Sequence, residues 1–137
     1  MAAQVQIQSV DAAGQNIYVV FTVKLSGSYP TGGDPLNFAG GGTPPVTQDP
    51  AFIGLVAAIE SSSLLQISVE SQGGLLSYQY AAIVSSSGSP ATINPQTGVK
   101  LKIGALNTFG TELSAGAYAA ALTGDVITGF AVFTKLL

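Results

Sequence analysis

The sequence predicts an all-β protein, an antiparallel β-sandwich of jelly-roll-like form with at most one short helix. Several stretches alternate apolar and polar residues with the period of two that marks a half-buried strand. The 17 glycines and 7 prolines are concentrated between those stretches, where turns are expected. The C-terminal segment 125–137 is apolar on both faces, as a strand in the interior of a sheet must be.

A chain of 137 residues is long enough for one hydrophobic core, so we expect a single domain over residues 1–137. Residues 1–10 are expected to form an N-terminal arm or an edge strand, because Val5 and Ile7 alternate with glutamines. Residues 16–25 (NIYVVFTVKL) predict the clearest strand of the N-terminal half, rich in β-branched and aromatic residues. This strand is the expected partner of the C-terminal strand.

Residues 26–50 form a long loop rich in glycine and proline. Only the segment 35–39, with Leu36 and Phe38 on one face, has the pattern of a strand. A loop of this length inside a compact domain often contacts a partner, but it can also be a plain surface excursion, and the residues leave both interpretations open.

The middle of the chain predicts a short helix and then a hairpin. Asp49 and Pro50 provide an N-cap and a first helical residue ahead of Phe52, Leu55, Val56 and Ile59, although an irregular segment is the alternative. Residues 64–69 and 75–84 predict two strands joined by a turn at 71–74. Tyr78 and Tyr80 would share one side of the second strand.

The last third of the chain predicts two further strands. A turn at 94–98 precedes Val99, Leu101 and Ile103, which alternate with lysines and so indicate one face in water. Residues 105–122 suit either a short helix or a loop across the end of the sheet. For the strand within 125–137, we expect a second sheet over one face and a loop or a neighbouring subunit over the other.

The chain carries few charges. Charged residues make up 8% of the chain, against about 25% in typical soluble domains. A surface this neutral has little electrostatic repulsion to keep copies apart, so we expect much of it to be buried in an assembly. The net charge of −3, with four lysines as the only cations, argues against nucleic-acid binding. No stretch is apolar enough to span a membrane, and we expect synthesis in a cytoplasm followed by assembly.

The residue types present argue against catalysis. The chain has no cysteine and so no thiolate nucleophile or thiolate metal site, and without histidine it lacks the commonest general base and transition-metal ligand. Without arginine it also lacks the bidentate contact to phosphate or carboxylate. The acids considered for acid–base chemistry, most of which lie in turns, are six of the seven in the chain: Asp34, Asp49, Glu60, Glu70, Glu112 and Asp125. The glycine runs 32–33 and 40–42 lack the flanking strand, helix and lysine of a phosphate-binding loop. We therefore expect no enzymatic activity, no catalytic residues, no cofactor and no metal site.

Interface residues are expected in the N-terminal segment and among the aromatic side chains of the loops. Aromatic residues anchor many interfaces, and Phe38 is interpreted as a core or interface residue. The candidate interface residues are Val5, Ile7, Tyr29, Leu36, Phe38 and Phe109.

Several phrases occur in an order that resembles a family of virion proteins. They are YVVFTV at 18–23 leading into YPTGGDPLNF at 29–38, GVKLKI at 98–103, ELSAGAY at 112–118 and LTGDV at 122–126. The family is that of the capsid cement or decoration proteins of tailed bacteriophages, which have a jelly-roll-like β-sandwich. The resemblance covers about half of the chain, and the segment 40–74 departs from it.

The resemblance implies a homotrimer on the outer face of a capsid, at or near threefold positions, where it clamps neighbouring capsomers of the major capsid protein. Residues 2–8 and the loop 26–50 would then lie at the capsid or subunit interface. One alternative is a carbohydrate- or receptor-binding jelly-roll module of a head fibre or tail, with saccharide contacts from Tyr29, Tyr78 or Tyr80. Another is a tail or neck component of the virion.

Overall fold

The structure is a computed structural model that describes residues 3–38, 54, 57–72, 78–105 and 111–136. Nine strands lie in these residues: β1 Ala3–Ala13, β2 Asn16–Leu25, β3 Ser28–Tyr29, β4 Asp34–Pro35, β5 Ser62–Ser71, β6 Tyr78–Val84, β7 Val99–Ala105, β8 Gly116–Ala117 and β9 Ile127–Lys135. A helix spans Ala120–Thr123, and residue 54 and residues 57–59 are also helical. The prediction of an antiparallel, sandwich-like all-β fold is confirmed, with two short helices rather than one.

The strands form three antiparallel sheets. The largest has the order β1-β2-β9-β5, the second has the order β4-β7-β6, and β3 pairs with β8 in a two-stranded ribbon. β9 lies between β2 and β5, which confirms that the C-terminal strand is in the interior of a sheet. The predicted pairing of β2 with β9 is also confirmed and runs from Asn16 opposite Thr134 to Val23 opposite Ile127.

The N-terminal segment is an edge strand of the largest sheet. β1 pairs along its length with β2 through a tight turn at Gly14, whose φ of 63° lies in the left-handed region that glycine adopts without strain. The register shifts between Ile7 and Ser9, so β1 contains a bulge. Before the bulge, Val5 and Ile7 face the second sheet and the intervening glutamines face outward.

An aromatic cluster occupies the centre of the core. The Phe38 ring lies edge-on to the rings of Phe21 and Phe133, at centroid distances of 4.8 Å and 5.4 Å. The three come from β2, the long loop and β9, so the cluster joins segments far apart in sequence. Gly129 stands opposite Phe21 in the sheet, and a Cβ on it would lie 2.3 Å from the ring. The absence of a side chain at Gly129 therefore provides the room that the Phe21 ring occupies.

The predicted hairpin between residues 64 and 84 is wrong. β5 pairs with β9 and β6 pairs with β7, so the connection passes from one sheet to the other. Ile67 and Val69 of β5, and Tyr78 and Ala82 of β6, all pack against the common core. Because β5 and β6 lie in opposite sheets, the apolar side chains of both strands are buried between the sheets. Pairing of the two strands side by side in one sheet would leave these side chains without a second sheet to pack against.

The long loop contributes strands and core residues. Its segment 26–38 contains β3 and β4, and of the predicted strand at 35–39 only Pro35 lies in a strand among the described residues. Beyond β4, the amides of Leu36 and Phe38 donate to the carbonyls of Val99 and Pro95, at 2.9 Å and 3.0 Å. This part of the loop is therefore fixed to the second sheet. Residues 39–50 lie outside the described residues.

The predicted helix after Asp49 falls largely outside the described residues. Residue 54 and residues 57–59 are helical, and Ile59 is buried in the core, while Phe52, Leu55 and Val56 are not described. The turn at 94–98 is confirmed, since the Asn94 side chain accepts hydrogen bonds from the amides of Gln96 and Thr97. In β7, the alternation of buried apolar residues with exposed lysines is also confirmed.

Candidate functional site: the outer face of the four-stranded sheet

The outer face of the four-stranded sheet, turned away from the second sheet, has an apolar centre. On its two inner strands, Tyr18 stands opposite Val132 and Val20 stands opposite Phe130. The rings of Tyr18 and Phe130 stack at 6.2 Å. Val20 and Phe130 are 39% and 40% exposed, while Val132 is buried. We call these four residues the apolar block.

Further exposed apolar side chains lie at the border of this sheet. Leu65 is the unpaired residue at the register shift of β5, and Leu136 directly follows β9. Together with Val20 and Phe130, they account for four of the six large hydrophobic residues that are exposed in the described part of the chain. Such concentration on one sheet is the usual mark of an interaction surface, because scattered single residues are what an ordinary surface shows.

The rim of the outer face is polar and mostly neutral. Three rows of paired residues cross the sheet from β1 to β5: Gln6–Thr22–Thr128–Glu70, Ser9–Val20–Phe130–Ser68 and Asp11–Tyr18–Val132–Gln66. In these rows the two acids stand on the edge strands. The centre of the face thus carries no charge, and a partner can cover it without desolvating an ion.

A shallow depression of about 290 Å³ lies on the same face. Its lining residues are Val20, Ser68, Val69, Glu70, Thr128, Gly129 and Phe130. Glu70 is the only ionisable group among them, so the depression has no acid–base pair and no set of charged ligands. Its lining combines the apolar side chains of Val20 and Phe130 with the polar side chains of Ser68, Glu70 and Thr128.

Known proteins give no assignment for this face. Comparisons with protein-family models, with curated proteins and with solved structures found no match. The resemblance to capsid decoration proteins therefore stays a prediction that rests on the sequence phrases alone.

Five of the six interface residues expected from the sequence lie in the core. Val5, Ile7, Tyr29, Leu36 and Phe38 are each no more than 2% exposed and pack in the core of the single chain. Phe109 lies outside the described residues. We assign the five described residues to the core, because pairing of β1 and the loop with the rest of the fold turns their side chains inward. Removal of residues 2–8 would thus remove part of the core along with any interface.

Three tyrosine–carboxylate pairs connect distant parts of the fold. Tyr29 donates from its hydroxyl to Glu112 at 2.7 Å, and the same carboxylate oxygen accepts from the amide of Gly32 at 2.8 Å. Burial raises the pKa of Tyr29 to about 12, and the hydrogen bond to Glu112 acts in the same direction. The hydrogen bond from Tyr29 lowers the pKa of the Glu112 carboxyl, and that from Gly32 adds to the effect.

The second pair joins β6 to the segment that directly precedes β9. Tyr80 donates from its hydroxyl to Asp125 at 2.9 Å, and Ser71 donates to the other oxygen of this carboxylate at 3.0 Å. Burial raises the pKa of Tyr80 above the ordinary tyrosine range. With Tyr29 and Tyr80 buried and engaged, two of the three tyrosines expected to contact a saccharide are not available on the surface, and Tyr78 is half-buried against the core.

The third pair is between Tyr118 and Asp34, at 2.5 Å from hydroxyl to carboxylate. Asp34 is buried, and burial raises the pKa of its carboxyl, while the hydrogen bonds from Tyr118 and the amide of Ala3 partly oppose this shift. These pairs occupy three of the acids that the sequence offered as candidate catalytic groups. Their partners are hydroxyls that stay protonated at neutral pH, so each pair is a structural connection.

The opposite sheet carries a second shallow depression of about 200 Å³. Lys102 and Glu112 are its charged residues, and the others in its lining are Gln79, Ala81, Ile103, Gly104, Ala105 and Thr111. Across the described ranges, no three acids come close enough to hold a metal ion, and no helix is long and apolar enough to cross a membrane.

The outer face could be predicted in part from the sequence, but the tyrosine pairs could not. Phe130 and Val132 alternate with core residues along β9, which predicts an apolar second face on that strand. The pairing register of β2 with β9 decides whether this face joins the outward side of β2 to form the apolar block. The three pairs join residues that are 45 to 84 positions apart, and no local spacing indicates such contacts.

Proposed function

We propose that the protein is a virion structural protein: a capsid decoration, or cement, protein that binds the outer surface of an assembled capsid as a homotrimer. The observation that carries the proposal is the apolar block on an otherwise neutral surface. A free monomer would leave this block in water, and covering apolar surface contributes about 25 cal/mol per Å². A chain with 8% charged residues is well suited to a permanent assembly and poorly suited to life as a free monomer.

The proposed mechanism requires no covalent chemistry. A protein that binds only the assembled lattice stabilises that lattice by mass action, by an amount that grows with the occupied fraction of sites. Three linked copies that each contact a capsomer also gain from the high effective concentration of the second and third contacts. A trimer across capsomer boundaries would thereby increase the resistance of the capsid to disruption from inside.

Hydrogen bonds between distant segments of the domain support a passive clamp. Tyrosine–carboxylate pairs connect the segments around Tyr29, Tyr80 and Tyr118 to acids distant in sequence. A clamp must transmit force between the subunits that it joins without opening. Long-range side-chain hydrogen bonds inside the sandwich oppose such opening, since each would have to be broken and its buried groups exposed.

The direct test is addition of the purified protein to capsids assembled from the major capsid protein alone. We expect co-sedimentation with the capsids, saturation at a fixed number of copies per capsid, and a higher temperature of capsid disruption. Unassembled capsid protein is the control and should not bind. Absence of binding to assembled capsids would contradict the proposal, and detection of the protein only in the tails of purified virions would place it in another part of the particle.

The carbohydrate-binding alternative predicts saccharide contacts from Tyr29, Tyr78 or Tyr80. The side chains of Tyr29 and Tyr80 are buried and their hydroxyls donate to carboxylates, so a saccharide could reach them only after the sandwich opens. A glycan array checks this alternative independently of the capsid experiment, and the capsid proposal predicts no specific glycan signal.

A further inference from the structure

The width of the outer face bears on how copies of the chain can associate. We propose that three copies of the chain associate through this face, so that three four-stranded sheets surround a common axis that runs parallel to their strands. The inference rests on the trimer of the proposed function, and it adds which surface forms the trimer. In this arrangement the apolar block of every copy lies at the centre of the assembly.

The first argument is chemical. A partner for the apolar block must itself be apolar at its centre, because a charged group placed there would lose its water without gaining an opposite charge. The middle row of the three that cross the sheet is Ser9–Val20–Phe130–Ser68, and none of these residues is charged. The same face of another copy meets this requirement without any further assumption about a partner.

The second argument is geometric. Four strands spaced about 4.8 Å apart make a face about 19 Å wide. Three such faces arranged as a triangular prism lie about 5.5 Å from the axis, close to half of the roughly 10 Å that separates packed sheets. Side chains from three copies would therefore fill the centre at ordinary packing distance, and no channel would remain.

The third argument separates three copies from two. The apolar block is confined to β2 and β9, the two inner strands, which lie nearest the axis of a prism. The polar edge strands β1 and β5 would lie at the corners, where each approaches a neighbouring copy close to water. Two sheets packed face to face would instead bury the edge residues Gln6 and Gln66 in a dry layer.

The corners provide complementary polar contacts. An axis parallel to the strands keeps each row at the same height in every copy, so β1 of one copy meets β5 of the next row by row. Gln6 then meets Glu70, and Asp11 meets Gln66. Each acid faces an amide and no acid faces another, so the corners favour association of like chains.

The test compares two lysine substitutions at residues of equal exposure. Val20→Lys places a charge in the apolar block, whereas Ile83→Lys places it on β6 of the other sheet, and the two residues are 39% and 37% exposed. We expect light scattering to give three times the chain mass for the wild type and for Ile83→Lys, and one third of that mass for Val20→Lys. Circular dichroism checks that both variants retain the strand signal. A monomeric or dimeric wild type, or a trimeric Val20→Lys, would overturn the inference.

Disulfide crosslinking tests the corners directly, because the chain has no cysteine of its own. Ser9 and Ser68 end the same row on opposite edge strands, about 14 Å apart within one copy, too far for an internal disulfide. The double variant Ser9→Cys/Ser68→Cys, oxidised with diamide, should give covalent trimers on a non-reducing gel, while each single variant should not. Crosslinking that gives only dimers, or none, would count against the corner contacts.

The two proposals can fail separately. A trimer through the outer face that does not bind capsids would leave this inference standing and contradict the capsid function. A protein that decorates capsids while Val20→Lys remains trimeric would leave the capsid function standing and contradict this inference.

Discussion

The hydroxyl of Tyr118 donates to the carboxylate of Asp34 at 2.5 Å, across 84 positions of sequence, and Asp34 is only 1% exposed. Asp34 lies in β4 of the second sheet, and it also accepts a hydrogen bond from the amide of Ala3 at the start of β1. A single carboxylate thus holds together the edge of the largest sheet, the second sheet and the segment after β8. The predictions below begin with this pair.

Tyr118→Phe removes the hydroxyl and leaves a buried acceptor without one of its donors. We expect the free energy of unfolding to fall by about 1–3 kcal/mol, the usual cost of an unsatisfied buried polar group. Urea denaturation measures the change. The matched control is Tyr18→Phe on the outer face, which we expect to change stability by no more than about 0.5 kcal/mol. Equal losses from the two substitutions would contradict the role assigned to the pair.

Asp34→Asn tests the burial of this carboxyl through its pH dependence. Burial raises the pKa of Asp34 above its ordinary value of 3.8, so the folded chain favours the protonated form. Its contribution to stability is complete below pH 3.8 and is lost as the pH rises through the folded-state pKa. The stability of the wild type relative to Asp34→Asn should therefore decrease with rising pH over this range.

Unfolding of both chains at matched pH values measures the difference. Groups common to the two chains, including Glu112 with its lowered pKa, largely cancel in the comparison. A difference that stays constant, or that grows with rising pH, would show that burial does not raise the pKa of the Asp34 carboxyl.

Alkaline pH should destabilise the fold through Tyr29. Burial raises the pKa of Tyr29 from 10.0 to about 12, so the folded state holds its proton more tightly than the unfolded state does. The contribution of Tyr29 to stability is therefore complete below pH 10 and is lost as the pH rises through about 12. Thermal unfolding along this range measures the loss, and Tyr29→Phe should show a smaller dependence on pH. If Tyr29→Phe shows the same pH dependence of thermal unfolding as the wild type, the loss of stability does not come from Tyr29.

Gly129→Ala should destabilise the core by about 1–3 kcal/mol, the range seen when a packed core is overfilled. The new Cβ would lie 2.3 Å from the Phe21 ring, which cannot withdraw because the Phe38 ring lies against it at 4.8 Å. Chemical denaturation measures the loss. Gly54→Ala is the control, since a Cβ at this helical position meets nothing within 4 Å and should add up to about 1 kcal/mol.

A smaller residue at position 21 should rescue part of this loss. In a Phe21→Leu background the clash with the new Cβ is reduced, so Gly129→Ala should cost less than it does in the wild type. Strictly additive losses would mean that the two residues do not compete for the same space.

The alternation along the chain was sufficient to predict the longer strands and the place of the last one, but not the two-residue strands β3 and β8. Residues 16–25 and 127–135 repeat with a period of two over nine or ten residues, and the strand that is apolar on both sides lies between two neighbours as expected. The partner of β5 could not be predicted in the same way. A hairpin and a crossover between sheets leave the same local pattern, and they differ only in which surfaces become buried.

The sequence by itself determined a neutral sandwich without cysteine or histidine, because composition and a period of two are properties of the residues alone. Only the tertiary structure decided which apolar residues are core and which are surface. Val5, Phe38 and Phe130 are equally apolar, but register and sheet stacking turn the first two inward and leave the third 40% exposed. Burial depends on contacts between segments distant in sequence, and a local sequence pattern does not specify those contacts.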